Sequence, residues 1–380
     1  MKKTAATAAC ALAFGLGGAA LAEPVKVGMI TTLSGDGAGI GVEVRDGFML
    51  ALKLAEGNEV EVLVEDDGRR PDLAVQIADR MIQSEDVDIL TGILWSNLAM
   101  AVVPGAVAQG TFYLSPNAGP SALAGRQCNE NYFNVAFQTD MLAEAAGAYA
   151  TEEGYEKVFL LAPKYPAGVD TMNGFKSFYK GELAGELYTK LGQTDYAVEI
   201  AQIKASGADA VFFFLPGGMG IAFVKQYAQS EVGIELLGPG WSFSQEILPA
   251  MGDAALGAKN TSQWSPDLDN AANMRFVAAF QAEYGRLPSA FASQGYDTAN
   301  LILSATESAS VEDPAAFRAA LKAADFASVR GDFRFGNNNH PIQDMYLREV
   351  VKEGGQFTNK VIRVVLEDHQ DAYAAECPMQ

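Results

Sequence analysis

The chain has 380 residues, 49% hydrophobic and 19% charged, with 38 Gly and 15 Pro, a globular composition that excludes disorder, collagen and a long coiled coil. That length fits two domains or one large one. Lys and Arg number 27 against 47 Asp and Glu, and the net charge of −20 repels phosphate backbones and anionic membrane surfaces, so nucleic acid is not an expected partner.

Lys2 and Lys3 precede an apolar, Ala-rich run from Ala5 to Leu21, and Ala20-Leu21-Ala22 forms a small-residue cleavage site before Glu23-Pro24. This reads as a secretory signal peptide over residues 1–22. A membrane anchor is the weaker alternative, because Gly15, Gly17 and Gly18 interrupt a run already short for a span. Cleavage removes Lys2, Lys3 and no acid, which takes the net charge to −22 and leaves Cys128 and Cys377 as the cysteines of an exported chain. An even pair in an oxidising compartment favours a disulfide over two free thiols, although spacing alone does not show that the sulfurs meet.

From there, strand-like and helical patterns alternate. Val25 to Ile30 is a predicted strand, a Gly-rich turn runs from Ser34 to Gly41, and a helix covers about Val42 to Ala55. Strands near Val60–Val64, Asp88–Ile93 and Thr111–Leu114 alternate with helices near Pro71–Ser84 and Leu98–Ala108. That rhythm means right-handed βαβ units on a parallel sheet. It restarts after Phe133–Phe137, with helices near Met141–Glu153, Gly168–Tyr179, Tyr196–Ala205 and Met219–Gln229 around strands at Val158–Leu161, Ala210–Leu215 and Ile234–Leu237. The last third reads as helices at Asn270–Tyr284, Ser289–Ser308 and Pro314–Ala323, then β-rich runs at Phe333–Phe335, Met345–Val351 and Val361–Leu366. The expectation is an α/β protein of two Rossmann-like lobes with parallel central sheets. The late helices complete the first lobe, and the final strands cross to the second.

Catalytic signatures are weak. With His340 and His369 the sole histidines, HExxH and Cys/His zinc spacings are absent. The run Gly35-Asp36-Gly37-Ala38-Gly39-Ile40-Gly41 follows a strand, but Ile40 stands where a dinucleotide fingerprint needs its third glycine. Gly240-Trp241-Ser242-Phe243-Ser244 imitates a nucleophile elbow without the closing glycine, and Ser177-Phe178-Tyr179-Lys180 reads as a mid-helix face. Neither a cofactor nor a metal is expected.

Ligands of doubly wound sheets sit beyond the carboxyl ends of the strands. The segments there are Leu33-Ser34-Gly35, Leu94 to Asn97, Leu114 to Gly119, Lys164-Tyr165-Pro166, Leu215 to Gly218 and Pro239-Gly240-Trp241. Aromatic rings, small hydroxyls and glycines recur, and helices that start after such turns offer unpaired N–H groups to a carboxylate.

The exported start, Leu33-Ser34-Gly35, the Ser115-Pro116-Asn117-Ala118 turn, Ala162 to Gly168, Gly207-Ala208-Asp209-Ala210-Val211 and Gln294-Gly295-Tyr296-Asp297 follow in an order that resembles the periplasmic solute-binding proteins of branched-chain amino acid type. The resemblance covers the mature chain and includes an aromatic-acid-binding branch. It implies two lobes of the type I, Venus-flytrap kind, residues 23–138 with 266–340 and residues 139–265 with 341–380. Three hinge crossings join them near Gln138-Thr139, Gln263-Trp264-Ser265 and Asn339 to Gln343. It also implies a monomer that clamps a small ligand and delivers it to an ABC-type permease. Carried over residue by residue, ligand contacts fall on Trp95, Ser96, Asn97, Asn117, Ala118 and Gly119 in the first lobe, on Tyr165, Pro216, Gly217 and Trp241 in the second, and on Tyr296. The chain departs from amino-acid binders at Pro239-Gly240-Trp241-Ser242, where those proteins place an acid for the α-ammonium and this one has none before Glu246. An unpaired buried ammonium costs several kcal/mol, which favours an aromatic or other apolar carboxylate. Any such anion is held by local amides and hydroxyls against the global field, with Arg45 and Arg126 as further candidate anchors. A branched-chain amino acid or amide binder, a sensing module and, more remotely, a secreted hydrolase are the alternatives.

Overall fold

The computed structural model describes residues 24–379; the expected signal peptide lies outside the described residues. The first sheet is wholly parallel, in the order β2 (Val60–Asp66), β1 (Val25–Thr31), β3 (Ile89–Thr91), β4 (Phe112–Ser115) and β5 (Tyr132–Asn134). Its short strands β3 and β4, and β5 at the edge, are buried throughout, as strands covered on both faces must be. The helices α1 (Ala38–Leu54), α2 (Pro71–Gln83) and α3 (Ser96–Ala108) follow the first three strands, and the short α4 (Ser121–Ala124) follows β4.

The chain then moves to a second sheet by way of α5 (Met141–Glu153). β6 (Lys157–Pro163), α6 (Pro166–Phe178), β7 (Glu182–Thr189), α7 (Ala197–Ser206), β8 (Ala210–Phe213), α8 (Gly218–Gln229), β9 (Glu235–Pro239), α9 (Leu248–Met251) and β10 (Lys259–Ser262) build its parallel part. β7 and β10 escape the sequence patterning. β7 is a polar edge strand whose Gly185 lies under the Phe159 ring, where a Cβ would stand 2.4 Å from the ring edge. β10 buries Asn260, Thr261 and Ser262 completely, and their polar atoms are met by partners such as Asn359 and the Leu142 carbonyl.

The closing strands add an antiparallel margin to this parallel sheet. β12 (Pro341–Glu353) runs antiparallel to β10 and pairs with β11 (Arg334–Phe335) and β13 (Gln356–His369). The β12–β13 hairpin is longer than the sequence reading because Gly354 and Gly355, both at positive φ, close a two-residue turn.

As expected, the late helices return to the first sheet. α11 (Ala290–Ser308) packs on α1 so closely that a Cβ on Gly295 would lie 2.0 Å from the Val44 carbonyl oxygen. α10 (Ala271–Tyr284) and α12 (Pro314–Ala323) flank it through Phe276, Phe280, Phe317 and Leu321. Cys128 and Cys377 are bonded, with Cα atoms 5.7 Å apart across 249 residues, so the tail after β13 is tethered beside the first sheet. Ser177 sits in the last turn of α6 with Tyr179 and Lys180 beyond it, so that segment is a helix end rather than a mid-helix face.

Three segments connect the two lobes and are laced together. The Arg330 guanidinium, paired with Asp297 at 3.0 Å, donates to the Ala136 carbonyl and to Gln343, and the Asn134 N–H donates to the Asn339 carbonyl. Trp264 is fully buried beside the second segment, its indole N–H bonded to Asn273 at 2.7 Å.

Candidate functional site

Three helices begin just past the carboxyl ends of strands, and two of them, α3 and α6, bring their first turns to one place. α3 starts after Trp95, α6 after Tyr165 and α8 after Gly217, and none of these cap residues satisfies the first-turn N–H groups with its side chain. Between them lies a narrow cavity lined by both lobes. The first lobe contributes Ile40, Leu94, Trp95, Ser96, Asn117, Ala118, Phe137 and Phe291, the second Tyr165, Ala167, Phe214, Pro216 and Trp241, with Thr139 at the crossing. No acid lines it.

The wall is a chain of rings. Trp95 stands 6.4 Å from Tyr165, Tyr165 stacks on Phe214 at 6.1 Å, and Trp241 meets Phe214 at 5.2 Å and Phe137 at 4.7 Å. Trp95 is fixed by its own network. Its indole N–H donates to Thr32 Oγ1 at 2.9 Å, and Thr32 donates to Asp67 Oδ1 at 2.6 Å, which also accepts the Arg69 backbone N–H at 2.7 Å. Burial holds the Asp67 carboxyl above its ordinary value, with the Thr32 hydroxyl and the Arg69 N–H acting the other way. Gly37 is pressed against the indole edge, where a Cβ would lie 2.7 Å from Cζ2, so the glycine run serves close packing.

Seven of the expected contact residues, Trp95, Ser96, Asn117, Ala118, Tyr165, Pro216 and Trp241, line this cavity. Asn117 donates from Nδ2 to the Leu94 carbonyl at 2.9 Å, which leaves its buried Oδ1 without a partner. The other four lie elsewhere. Asn97 is the next residue of α3 and does not line the cavity. Gly119 is covered by the crossing: Thr139 donates to its carbonyl, and a Cβ would collide with the Phe137 oxygen at 2.1 Å. Gly217, at φ 62, borders Asp36 of the opposite lobe at the rim. Tyr296 packs on Phe276 with ring centres 4.6 Å apart, on the far side of α11.

Arg45 and Arg126 are paired with Asp46 and Glu376 away from the cavity. The Ser242 hydroxyl is spent on backbone, donating to the Phe213 carbonyl and accepting from the Leu215 N–H. Sequence reasoning missed Phe137, Phe214 and Phe291, which come from a crossing, a strand end and a helix far along the chain. It also missed Arg69, whose guanidinium pairs with Asp36 at 2.8 Å and covers Trp95.

Comparison with known proteins agrees with this architecture. Over 96% of this chain and 97% of its own length, the Leu/Ile/Val-binding protein homolog 6 of Brucella melitensis is 30% identical. An ABC-transporter solute-binding protein from R. palustris, in complex with benzoate, superposes with a TM-score of 0.89 at 31% identity, covering 94% of this chain and 100% of that one. A second, from Rhodopseudomonas palustris BisB5 with 3,4-dihydroxybenzoic acid, gives 0.84 at 27% identity over 92% and 99%. The family model for periplasmic binding proteins matches residues 24–356, and with two α/β lobes around one cavity the chain belongs to that family of solute-binding transport proteins, in its type I fold.

Proposed function

We propose that the chain is the extracytoplasmic binding component of an ABC importer and captures a small aromatic carboxylate between its lobes. The observation that carries this reading is the cavity wall: rings from both lobes surround it, the uncapped N-termini of α3 and α6 meet it, α8 opens just past the lining residue Pro216, and among the described residues no acid lines it. A flat ring is received against the faces of Trp95, Tyr165, Phe214 and Trp241, where each aromatic pairing adds about 0.5–1.5 kcal/mol beyond burial. The carboxylate is received by first-turn N–H groups and their dipoles. The benzoate-bound relative at 31% identity supports the same ligand class.

In this reading the protein is exported by residues 1–22 and works as a monomer. The lobes are residues 23–138 with 266–340 and residues 139–265 with 341–380, and closure about the three laced crossings is what the permease reads. Periplasmic binding proteins as a class close by hinge motion around their ligands, and the ligand shifts that equilibrium by its differential affinity for the closed form.

The Brucella relative's name favours a second reading, a branched-chain amino acid. Against it stands the missing partner for an α-ammonium. Calorimetry with benzoate, 4-hydroxybenzoate, leucine and valine separates the two. Micromolar binding of a benzoate and none of leucine supports the proposal, and the converse overturns it.

A further inference from the structure

Arg348 breaks the rules of the strand it occupies. β12 buries its odd-numbered side chains as far as Leu347 and then the even-numbered Arg348 and Val350, so burial changes face at the Leu347–Arg348 step, where the pairing with β13 also shifts register. The extra residue of that shift, Ile362, lies on β13, while Tyr346 to Glu349 stay in unbroken register with β10. The first side chain buried on the other face is a guanidinium that is 2% exposed.

That guanidinium has no carboxylate partner among the described residues. Its Nε and Nη2 donate to Asn260 Oδ1 at 3.0 and 2.6 Å, and its Nη1 donates to the Trp264 carbonyl at 2.7 Å. Its charge is therefore solvated by neutral oxygens alone. Arg330, the other deeply buried arginine, is neutralised by Asp297 at 3.0 Å. Asp267 attracts Arg348 from the exposed surface, but its oxygens are taken by the Ser265 hydroxyl and the Val361 N–H. Burial lowers the guanidinium to about 9, which leaves it charged at neutral pH. An uncompensated buried charge is expensive, and such an exception to local consistency marks a functional position.

Its location says which function. A Cβ on Gly240 would stand 2.7 Å from Arg348 Nη2, so the guanidinium lies directly against the backbone of the Gly240–Phe243 turn, whose next residue, Trp241, lines the cavity. Asn260 continues the support by donating to Asn359, which donates to the Phe243 carbonyl at the end of the same turn. A charge placed there, inside the protein and away from salt, acts over a longer range than a surface arginine does. The chain needs such a device: its net charge of −20 opposes the entry of any anion.

We propose that Arg348 is a specificity-determining residue that acts through the Trp241 turn, supplying the unneutralised positive charge that makes the cavity prefer an acid to its neutral isostere. This rests on the reading of the cavity as a carboxylate site.

The test compares benzoate with benzamide by calorimetry in the wild type, in Arg348→Met and in Asn260→Asp, which sets a carboxylate against the guanidinium and gives up the Asn260 donation to Asn359. The wild-type preference for benzoate falls by about tenfold or more in either variant, while benzamide affinity holds. A merely structural role weakens both ligands together and leaves the ratio unchanged, which overturns the proposal. Should Arg348→Met fail to fold, the isosteric Asn260→Asp carries the same comparison. A second readout needs no ligand: with Ala167→Cys, the pH profile of alkylation of the introduced thiol moves up by at least about half a unit on adding Asn260→Asp. No movement of that profile overturns the proposal. If the profile moves while the wild type binds neither benzoate nor benzamide, the charge assignment stands and the aromatic-acid reading fails.

Discussion

The guanidinium carbon of Arg69 stands 5.0 Å from the centre of the Trp95 ring, and the same side chain reaches the second lobe, with Nη2 2.9 Å from where a Cβ on Gly192 would be. Arg69 itself sits at φ 58, an uncommon conformation for a non-glycine residue, held by the Asp67 carboxylate that accepts its N–H. A side chain so placed joins the cavity roof to the opposite rim. Arg69→Ala is expected to weaken benzoate binding about 5- to 30-fold, chiefly through faster release, because a cation–π contact of about 1–2 kcal/mol and a bridge between lobes vanish together. Stopped-flow tryptophan fluorescence reads the release rate, and an unchanged rate refutes the bridging role.

Trp241 contacts Phe137 and Phe214 on either side of the lobe boundary. Trp241→Ala is expected to raise the benzoate Kd at least about tenfold, since each tenfold requires only about 1.4 kcal/mol and the substitution removes a whole wall of the cavity. Circular dichroism should show the fold retained. An unchanged Kd removes Trp241 from the site.

The Cys128–Cys377 bridge closes a segment of 249 residues and ties the tail to the first sheet, far from the cavity wall. Cys377→Ser is expected to cost about 2–5 kcal/mol of stability, which for a chain of this size lowers Tm by about 3–7 °C. Benzoate affinity should not change. A loss of affinity with Tm intact would mean that the tail takes part in binding.

Much of this is legible from the residues. Val158–Leu161 and Ala210–Phe213 are short continuous apolar runs of the kind a strand buried on both faces uses, so the middle of the second sheet follows directly. Trp95, Tyr165 and Trp241 can be found because they stand just past strand ends, where this fold places ligands. β10 is hidden because its buried residues are polar and find their partners through tertiary contacts. Phe137, Phe214 and Phe291 are hidden for the same kind of reason: only packing of the two lobes brings them to one cavity. Tyr296 shows the opposite failure. Its motif neighbours sit in the tight α1–α11 crossing, but its own ring turns away to Phe276.

Glu246 gives the lobe contact a pH dependence. Its Oε1 accepts from the Ser244 hydroxyl at 2.5 Å, its Oε2 has no partner, and its Cγ lies 3.8 Å from where a Cβ on Gly39 of α1 would be. Burial first, then the nearby Glu43 carboxylate, lift it from 4.5 to about 8, and Ser244 and Arg286 act the other way; Arg286 is already engaged by Glu43 and Asp46 at 2.7 Å. A carboxyl raised in the folded chain stabilises it while protonated: the contribution is complete below the unfolded value and is lost as pH rises through about 8. The melting temperature should therefore fall between about pH 5 and pH 8, and benzoate affinity with it if closure needs the neutral acid. Other buried carboxyls that are held high, Asp140, Asp170 and Asp297 among them, contribute slopes of the same sign, so the measurement that isolates this one is the difference from Glu246→Gln. That variant keeps the shape of the protonated acid and cannot ionise. Its melting curve should be flatter across the range and cross above the wild type near pH 8; parallel profiles would mean that Glu246 is ionised, and solvated, throughout.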